Sequence, residues 1–344
     1  MESFILAIIS KAPLRISFAG GGTDLEPFCS THGGCVLSAT INQYAYVKIE
    51  PNPSLTEDTW EFCSPDLNET QIVKGNIDNW DTARSTLLIN AYKYLYQTYL
   101  FELLPVKITG YCEAPPGSGL GSSSAYTVAT VSAINRYYSL GLSKYDIAKV
   151  SHHIERIVCG MPGGKQDQYA STFGGINFIE FKDQTLVNPI ELPESVSEQI
   201  QMSTMLYYVG QPRNTVVIED NIKNLVENKD TVNKTFELKE NCNKFFKAIT
   251  TGNHNMISSL MNENHQIKKQ LSSKIIEPYI EEIYQVAISN GASAGKICGA
   301  GGGGHMIFFT DFLNRHKLVN ALNQKSGHIV PFVFTNKGVQ TWSQ

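Results

Sequence analysis

The sequence predicts an α+β protein. Short apolar runs bounded by Gly, Pro and polar residues recur along the chain, as is typical of strands. Stretches with apolar residues at helical spacing separate them, and the longest such block covers 215–290. Because the two kinds of segment do not follow a strict β-α-β order, an α+β fold is favoured over a doubly wound parallel sheet.

In the first half, the segment 36–50 carries a clear strand signal. Tyr46 and Lys48 alternate there with Val47 and Ile49, a pattern typical of a half-exposed strand. Ser143, followed three residues later by Asp146, predicts a capped helix start. The other predictions for this half are strands at 4–9, 14–19 and 106–112, loops around one short strand at 51–82, and helices at 84–100, 122–138 and 143–158.

The second half is dominated by 215–290, which is polar and rich in Lys, Glu and Asn and predicts several helices. Strands are predicted at 176–181, 204–209, 305–310 and 329–335. No internal repeat and no low-complexity linker interrupts the chain.

Length and charge narrow the class of protein. The 344 residues suffice for one large domain or two packed domains of about 100–200 residues each. Hydrophobic residues make up 42%, charged residues 17%, and the net charge is -4. Because nucleic acids and anionic membranes call for a basic face, we expect neither as a partner.

The seven Cys are scattered and form no C-x-x-C pair, so we expect reduced thiols rather than disulfides or a structural zinc site. The histidines at 152, 153 and 305 also lack metal-ligand spacing and predict packed or surface side chains. The apolar start at 4–9 is too short to span a membrane and has no basic region before it. We therefore expect a cytoplasmic location.

A glycine- and serine-rich loop follows the predicted strand 106–112 and opens the helix 122–138. Its residues are Pro115-Pro116-Gly117-Ser118-Gly119-Leu120-Gly121-Ser122-Ser123-Ser124-Ala125. Glycines let backbone N–H groups approach an anion, and the amino end of the helix adds unpaired donors and a positive dipole. The loop matches neither the Walker A pattern nor the dinucleotide fingerprint. It predicts a phosphate site, with a Ser-capped helix after a flexible turn as the alternative.

Three motifs in the same order resemble the GHMP kinase superfamily, which includes galactokinase, homoserine, mevalonate and phosphomevalonate kinases. They are this loop, Lys11-Ala12-Pro13-Leu14-Arg15-Ile16-Ser17-Phe18-Ala19-Gly20-Gly21-Gly22-Thr23-Asp24, and Lys296-Ile297-Cys298-Gly299-Ala300-Gly301-Gly302-Gly303-Gly304. The Gly-Gly-Gly-Thr-Asp sequence, with Gly163-Gly164-Lys165-Gln166-Asp167-Gln168-Tyr169, further resembles the D-glycero-D-manno-heptose 7-phosphate kinases and the related fucokinase domains.

The resemblance implies a GHMP kinase fold of two packed α+β domains, 1–185 and 186–344, with ATP in the cleft between them. It places Mg²⁺ between Ser123 and Glu155, a donor set that suits a cation keeping its waters and phosphate oxygens. The alternative for Glu155 is an exposed helix carboxylate beside Arg156. The implied ATP contacts are Pro116, Gly117, Ser118, Gly119, Leu120, Gly121, Ser122, Ser123 and Ser124.

The resemblance also supplies catalytic candidates. Asp167 lies seven residues before Gly174, as the family's catalytic Asp precedes its Gly-Gly pair, and could deprotonate a sugar hydroxyl. Arg15 would pair with this carboxylate; its alternative is a surface cation at a strand edge.

Substrate contacts are expected from both ends of the chain. Thr23 and Asp24 match the Thr-Asp that binds sugar hydroxyls in galactokinase, and Gly21 and Gly22 stand where galactokinase has Glu-His. Candidates for binding a phosphate already on the sugar are Lys165, beside Gln166, and Arg213, each with an ordinary surface alternative. The segment 299–304 also fits G-x-G-x-x-G, but a predicted strand follows it where a dinucleotide site needs a helix. The resemblance makes it a loop lining the substrate site through Gly301 and Gly302.

The resemblance implies an ATP- and Mg²⁺-dependent kinase of the anomeric hydroxyl of D-glycero-D-manno-heptose 7-phosphate, for nucleotide-activated heptose and surface polysaccharide. A kinase of another sugar such as L-fucose and a non-catalytic GHMP-fold regulator are the alternatives, and homodimerisation stays open.

Overall fold

The computed structural model describes residues 7–52, 58–80, 87–211, 216–272 and 274–344. It contains an eight-stranded sheet and a four-stranded sheet, with helices packed on and between them. Strand pairing in the described parts is antiparallel except between β3 and β5 (59–64 and 106–112), which confirms the α+β prediction. The seven cysteines are unpaired thiols.

The chain forms the following elements. The strands are β1 Ile8–Ala19, β2 Gly34–Pro51, β3 Thr59–Ser64, β4 Glu69–Lys74, β5 Val106–Cys112, β6 Ile176–Phe181, β7 Thr185–Pro189, β8 Thr204–Tyr208, β9 Ala292–Ile297, β10 His305–Thr310, β11 His328–Val330 and β12 Gln340–Ser343. The helices are α1 Phe28–His32, α2 Leu87–Tyr99, α3 Ser122–Tyr137, α4 Lys144–His153, α5 Gln166–Phe173, α6 Glu194–Ser203, α7 Val216–Glu227, α8 Lys229–Thr250, α9 His254–Leu271, α10 Pro278–Ser289 and α11 Arg315–Leu322.

The first sheet is built around the long strands β1 and β2, in the order β12-β1-β2-β5-β3-β4. The first half of β2 pairs with β6 and its second half with β5. Burial alternates along 45–50, as predicted, but 34–41 is buried throughout because both neighbouring strands and their helices cover it. The predicted half-exposed strand is therefore only the second half of β2.

The two predicted strands at 4–9 and 14–19 are wrong as separate elements. Residues 4–6 lie outside the described residues, and Ile8–Ala19 forms the continuous strand β1. Pro13 is tolerated because the register shifts between it and Leu14, and Lys11 extends over the Tyr44 ring at 4.6 Å.

Other differences lie in short elements. The segment 51–82 holds two strands, β3 and β4, where one was predicted, and 53–57 and 81–82 lie outside the described residues. The predicted helix 143–158 starts with the expected capping box at Ser143 but changes to a π-helical turn at Ile154–Val158. The predicted strand 329–335 shortens to β11, and β7, α6, β9 and β12 were not predicted.

The second sheet has the order β11-β8-β10-β9. Helix α8 packs on β1 and β2, while its neighbour α9 packs on β9, so these two helices connect the sheets. No helix in the described ranges is long and apolar enough to cross a membrane. The boundary between 185 and 186 stays a prediction; β7 pairs with β6, and β12 returns to β1.

Candidate active site

The glycine-rich loop joins β5 to α3 through three left-handed residues. Gly117, Gly119 and Gly121 have φ of 78°, 77° and 76°. Their alternation with residues of negative φ is the backbone pattern of anion-binding nests, and only glycine adopts it without strain. Because α3 begins at Ser122, its unpaired N–H groups point toward the same place.

Buried contacts fix this loop from behind. Arg15 donates from NH1 to the Gly119 carbonyl at 2.7 Å, and its backbone N–H donates to the Leu120 carbonyl at 3.0 Å. The Nδ1 of His305 donates to the Ser118 carbonyl at 2.7 Å, which fixes the neutral tautomer of the ring. Burial lowers the pKa of His305 to about 4, despite the raising effect of this hydrogen bond.

In front of the loop lies a cavity of about 400 Å³. It gathers residues from all three glycine motifs, from the start of α5 and from α9. The sequence-predicted residues that line it are Arg15, Gly21, Gly22, Asp24, Pro116, Gly117, Gly119, Gly121, Ser122, Ser123, Ser124, Glu155, Gln166 and Asp167.

Asp167 and Arg15 form an ion pair on the cavity wall. Nε and NH2 of Arg15 contact the same carboxylate oxygen, Oδ1, at 2.7 and 2.6 Å. Arg15 is 2% exposed, which excludes the surface-cation alternative. A Cβ added at Gly121 would lie 3.3 Å from Cγ of Asp167, so the carboxylate packs directly on the amino end of α3.

Glu155 is 1% exposed, so the exposed-carboxylate alternative is wrong, although it does contact Arg156 at 3.3 Å. Its Oε2 accepts hydrogen bonds from Ser124 at 2.7 Å and from Gln168 at 2.6 Å. The hydroxyl that contacts it is therefore that of Ser124, whereas Ser123 contacts Met161 Sδ at 3.9 Å. Both serines line the cavity, but only Ser124 touches this carboxylate.

Asp24 receives hydrogen bonds that organise the start of α5. Oδ1 accepts from the Gly22 N–H at 3.0 Å, and Oδ2 accepts from the Gln166 N–H at 3.1 Å and its Nε2 at 3.2 Å. The carboxylate thus caps a helix whose own preceding residue, Lys165, provides no side-chain cap. Asp24 lines the cavity while serving this positioning role.

Several predicted contacts do not reach the cavity. Thr23 is buried, and its hydroxyl donates to the Cys35 carbonyl and accepts from the Cys35 N–H. Ser118 and Leu120 are buried members of the loop that do not line the cavity, and Lys165 contacts Glu26 at 2.6 Å. Arg213 lies outside the described residues.

The predicted contacts of Gly301 and Gly302 are also not observed. A Cβ on Gly301 would collide with Ile275 at 2.5 Å, and one on Gly302 with Val217 at 2.7 Å. The Gly302 N–H donates to the Ile275 carbonyl at 2.9 Å, so it does not face an anion. From this loop, Gly299 and Ala300 line the cavity instead.

Lys268 was not predicted. It lines the cavity from α9, is 4% exposed, and donates to the Gly299 carbonyl at 2.7 Å. Desolvation, helped by nearby Lys296, lowers the pKa of Lys268 to about 7. The helical spacing of Ile257, Met261 and Asn264 already places position 268 on the buried face of α9, and this signal could have identified it.

A second cavity of about 480 Å³ adjoins the first. It was not predicted, because its walls come from parts of the chain that lie far apart in sequence. The two cavities share Pro116, Ser122, Ser123 and Met161. The rest of its wall includes Ser64, Asp66, Leu87, Asn90 and Tyr126, contributed by β3, α2 and α3 and the turn after β3.

Comparisons with known proteins agree with this arrangement. Residues 86–175 match the family described as GHMP kinases N terminal domain, and residues 245–328 match GHMP kinases C terminal. The D-glycero-alpha-D-manno-heptose 7-phosphate kinase of Campylobacter jejuni is 33% identical over 97% of this chain and 98% of its own length. A galactokinase of Thermotoga petrophila is 31% identical over 50% of this chain and 45% of its own.

The crystal structure of a D-glycero-D-manno-heptose 1-phosphate kinase from Bacteriodes thetaiotaomicron has a TM-score of 0.82 at 30% identity, covering 98% of this chain and 99% of that one. The names of the two heptose kinases differ in the numbered phosphate, 7-phosphate in one and 1-phosphate in the other. Since both family domains match and similarity extends over nearly the full length, this chain belongs to the GHMP kinases.

Proposed function

We propose that this protein transfers the γ-phosphoryl group of ATP to the anomeric (C1) hydroxyl of D-glycero-D-manno-heptose 7-phosphate, giving the 1,7-bisphosphate and ADP. The observation that carries the proposal is the Arg15–Asp167 pair packed on Gly121 at the amino end of α3. In this proposal the Asp167 carboxylate lies between the phosphates of ATP, bound at the glycine-rich loop, and the sugar hydroxyl. The heptose identity rests on the 33% identical relative.

The charge arrangement suits proton removal from an alcohol. Both contacts of Arg15 are to Oδ1 of Asp167, so Oδ2 is left to accept the proton of the sugar hydroxyl. The O–H bond of the sugar breaks as its oxygen bonds the γ-phosphorus, and ADP leaves with the electrons of the broken P–O bond. Backbone N–H groups of the loop and of α3 face the charge that spreads over the transferring group.

The side chains around Glu155 include oxygen donors of the kind that Mg²⁺ needs. Among the described residues, no three His, Cys, Asp or Glu side chains cluster as metal ligands. One buried carboxylate with the Ser123 and Ser124 hydroxyls nearby fits a cation that takes its remaining ligands from water and phosphate. The bound ion would neutralise phosphate charge; Glu155 and these serines would hold it.

The second cavity would hold the rest of the nucleotide. It meets the first at Pro116, Ser122 and Ser123, where the phosphate chain would cross from one to the other. The proposal also includes the domain division at 185/186 and a cytoplasmic location. The product would feed the synthesis of nucleotide-activated heptose for surface polysaccharide.

A substrate panel tests the reaction. The protein would receive Mg²⁺ and ATP with heptose 7-phosphate, heptose 1-phosphate, L-fucose, D-galactose or D-mannose, and ADP release would be measured. We expect the highest kcat/KM with heptose 7-phosphate and a new phosphate at C1 by ³¹P NMR. Turnover of L-fucose at an equal kcat/KM would contradict the heptose assignment, and no turnover with any sugar would favour the non-catalytic alternative.

A further inference from the structure

Among the residues that the structure describes, one cation lining the cavity has no carboxylate partner. Among the described residues that line it, Arg15 is paired with Asp167 and Arg156 with Glu155. Lys268 has no carboxylate within salt-bridge distance in the same parts of the chain. A buried, unpaired ammonium is costly in an apolar interior, so its presence at a ligand cavity needs an explanation.

The ammonium also has unused donor capacity. Lys268 can donate three hydrogen bonds, and within the described residues it makes one, to the Gly299 carbonyl. Lys296 is a useful comparison, because it is equally buried and also bonds only backbone carbonyls, those of Ser17 and Ile297. Lys296 does not line the cavity. The two lysines are therefore alike in burial and differ in their access to a ligand.

Two other polar groups with unused capacity surround the same spot. A Cβ added at Gly21 would lie 3.5 Å from Ser17 Oγ, 3.6 Å from Gln166 Nε2 and 3.7 Å from Lys268 Nζ. Within the described residues, Ser17 Oγ and Gln166 Oε1 are buried and have no hydrogen-bond partner, whereas Gln166 Nε2 donates to Asp24. The missing side chain at Gly21 therefore keeps open a place bounded by three polar groups.

This place adjoins the residue that precedes Asp167 on α5. Asp167 packs on Gly121, while its neighbour Gln166 turns to Asp24 and to the spot beside Gly21. A sugar whose reacting hydroxyl meets Asp167 would extend its remaining atoms toward Gln166 and Lys268.

We propose that Lys268, with Gln166 and the open position at Gly21, binds the phosphate group that the sugar substrate already carries. This inference rests on the proposed function, because it assigns the second anion of the same reaction. It replaces Lys165, which Glu26 neutralises. A phosphate would supply the missing counter-charge, and the ammonium would donate charge-assisted hydrogen bonds. A neighbouring hydroxyl of the sugar would donate to Gln166 Oε1.

The surroundings keep this lysine poised for an anion. Desolvation is the largest cause that lowers the pKa of Lys268 to about 7; Lys296 and Arg15 also lower it, whereas Cys298 and Asp24 raise it. An anion favours the charged ammonium and raises this pKa. Above neutral pH, binding of the sugar phosphate should therefore take up a proton.

The test is calorimetric titration of the full chain, saturated with Mg²⁺ and a non-hydrolysable ATP analogue so that the phosphate loop is filled. Heptose 7-phosphate and unphosphorylated heptose are titrated into wild type, Lys268→Met and Lys296→Met. We expect Lys268→Met to weaken binding of the phosphorylated sugar about 10- to 100-fold, the range for hydrogen bonds to charged groups. Binding of the free sugar should hardly change, and Lys296→Met, which removes a neighbouring charge but leaves the Lys268 ammonium, should keep the preference for the phosphorylated sugar.

Proton uptake separates a ligand contact from a structural role. Titrations at about pH 8 in buffers of different ionisation enthalpy should show uptake by wild type and none by Lys268→Met. Equal losses for both sugars, unchanged affinity, or a loss confined to the ATP analogue would each overturn the proposal. Should Lys268→Met not fold, Gly21→Ala fills the spot without a left-handed backbone, and unchanged affinity for the phosphorylated sugar would then overturn it.

The titrations distinguish failure of the heptose substrate assignment from failure of the anion site at Lys268. If wild type binds neither heptose, the substrate assignment fails, and inorganic phosphate and mannose 6-phosphate become the probes in the same nucleotide-saturated protein. Weaker binding of these anions by Lys268→Met than by Lys296→Met would still support the anion site. Equal binding by the two variants would reject it.

Discussion

The buried guanidinium of Arg15 is held in place by several hydrogen bonds. Arg15 donates to Asp167, to the Gly119 carbonyl and, through its backbone, to the Leu120 carbonyl. One side chain therefore sets both the position of the carboxylate and the path of the phosphate loop. The ion pair therefore lies where the carboxylate and the phosphate loop meet, and not on an exposed surface.

At this scale we predict that Asp167→Asn lowers kcat about 10²- to 10⁴-fold, the usual contribution of a general base. Asn keeps an oxygen for Arg15 but cannot take a proton, so affinity for ATP should hardly change. Steady-state kinetics and titration with an ATP analogue measure the two effects. Asp183→Asn, at an exposed bend between β6 and β7, is the control, and turnover near that of wild type in Asp167→Asn would reject the base assignment.

Single residues also show what sequence patterns could not determine. Thr23 fits a sugar-binding motif, but its hydroxyl is used by the backbone of Cys35, and only the packing of the turn against β2 decides this. Ser123 and Ser124 are adjacent in the first turn of α3, and the rotation of this helix places Ser124 against Glu155. Lys268 was missed because a lysine in a polar helix is usually exposed.

At the scale of elements, helix α3 follows Gly121, and replacing this glycine by a residue with a side chain would destabilise the fold. Gly121 combines a φ of 76° with close packing on Asp167, whereas Gly141 has a φ of 74° and nothing within 4 Å. These two glycines share the backbone requirement and differ only in their neighbours.

We predict that Gly121→Ala and Gly141→Ala each lower the free energy of unfolding by about 1–2 kcal/mol, the cost of a left-handed L-residue. Only Gly121→Ala should also lower kcat, by about 10²-fold, because its Cβ would displace the Asp167 carboxylate. Urea denaturation and steady-state kinetics measure the two effects. Equal kcat in both variants would show that the contact with Asp167 has no catalytic consequence.

Elements with strong local signals were predicted well. The strands 106–112, 176–181 and 305–310 have the predicted bounds, and the capping box at Ser143 is present. The short strands β7, β9 and β12 were missed because their residues become strands only by pairing with β6, β10 and β1. The π-helical turn at 154–158 likewise has no simple sequence pattern.

At the scale of the whole molecule, the two sheets meet at the glycine loops. His305 at the start of β10 donates to Ser118 in the first loop, and a Cβ on Gly304 would lie 2.4 Å from the same carbonyl oxygen. Lys296 on β9 donates to the Ser17 carbonyl of β1 at 2.7 Å. The motifs that resembled the family were thus predictable as motifs, but their direct contact depends on the packing of both sheets.

We predict that stability falls as the pH drops from about 6.5 to 5, before most carboxylates titrate. The pKa of His305 is about 4 in the folded protein, below the 6.5 of an exposed His, so the unfolded chain binds the proton first. The loss from this residue should be about 2 kcal/mol. His152, with a pKa also lowered to about 4, acts in the same direction.

Urea denaturation at the two pH values measures this slope in wild type and in His305→Asn. Asn can still donate to the Ser118 carbonyl but does not titrate, so its stability should fall less over the same range. An identical slope in both proteins would show that His305 does not control the pH dependence.

The pairing of β12 with β1 joins residues 8–11 to residues 340–343. During synthesis, the outer edge of β1 has no partner until more than three hundred further residues have been added. An open strand edge is a template for pairing with another chain. Nascent chains on one messenger would therefore be exposed to mutual association through this edge until β12 pairs with β1.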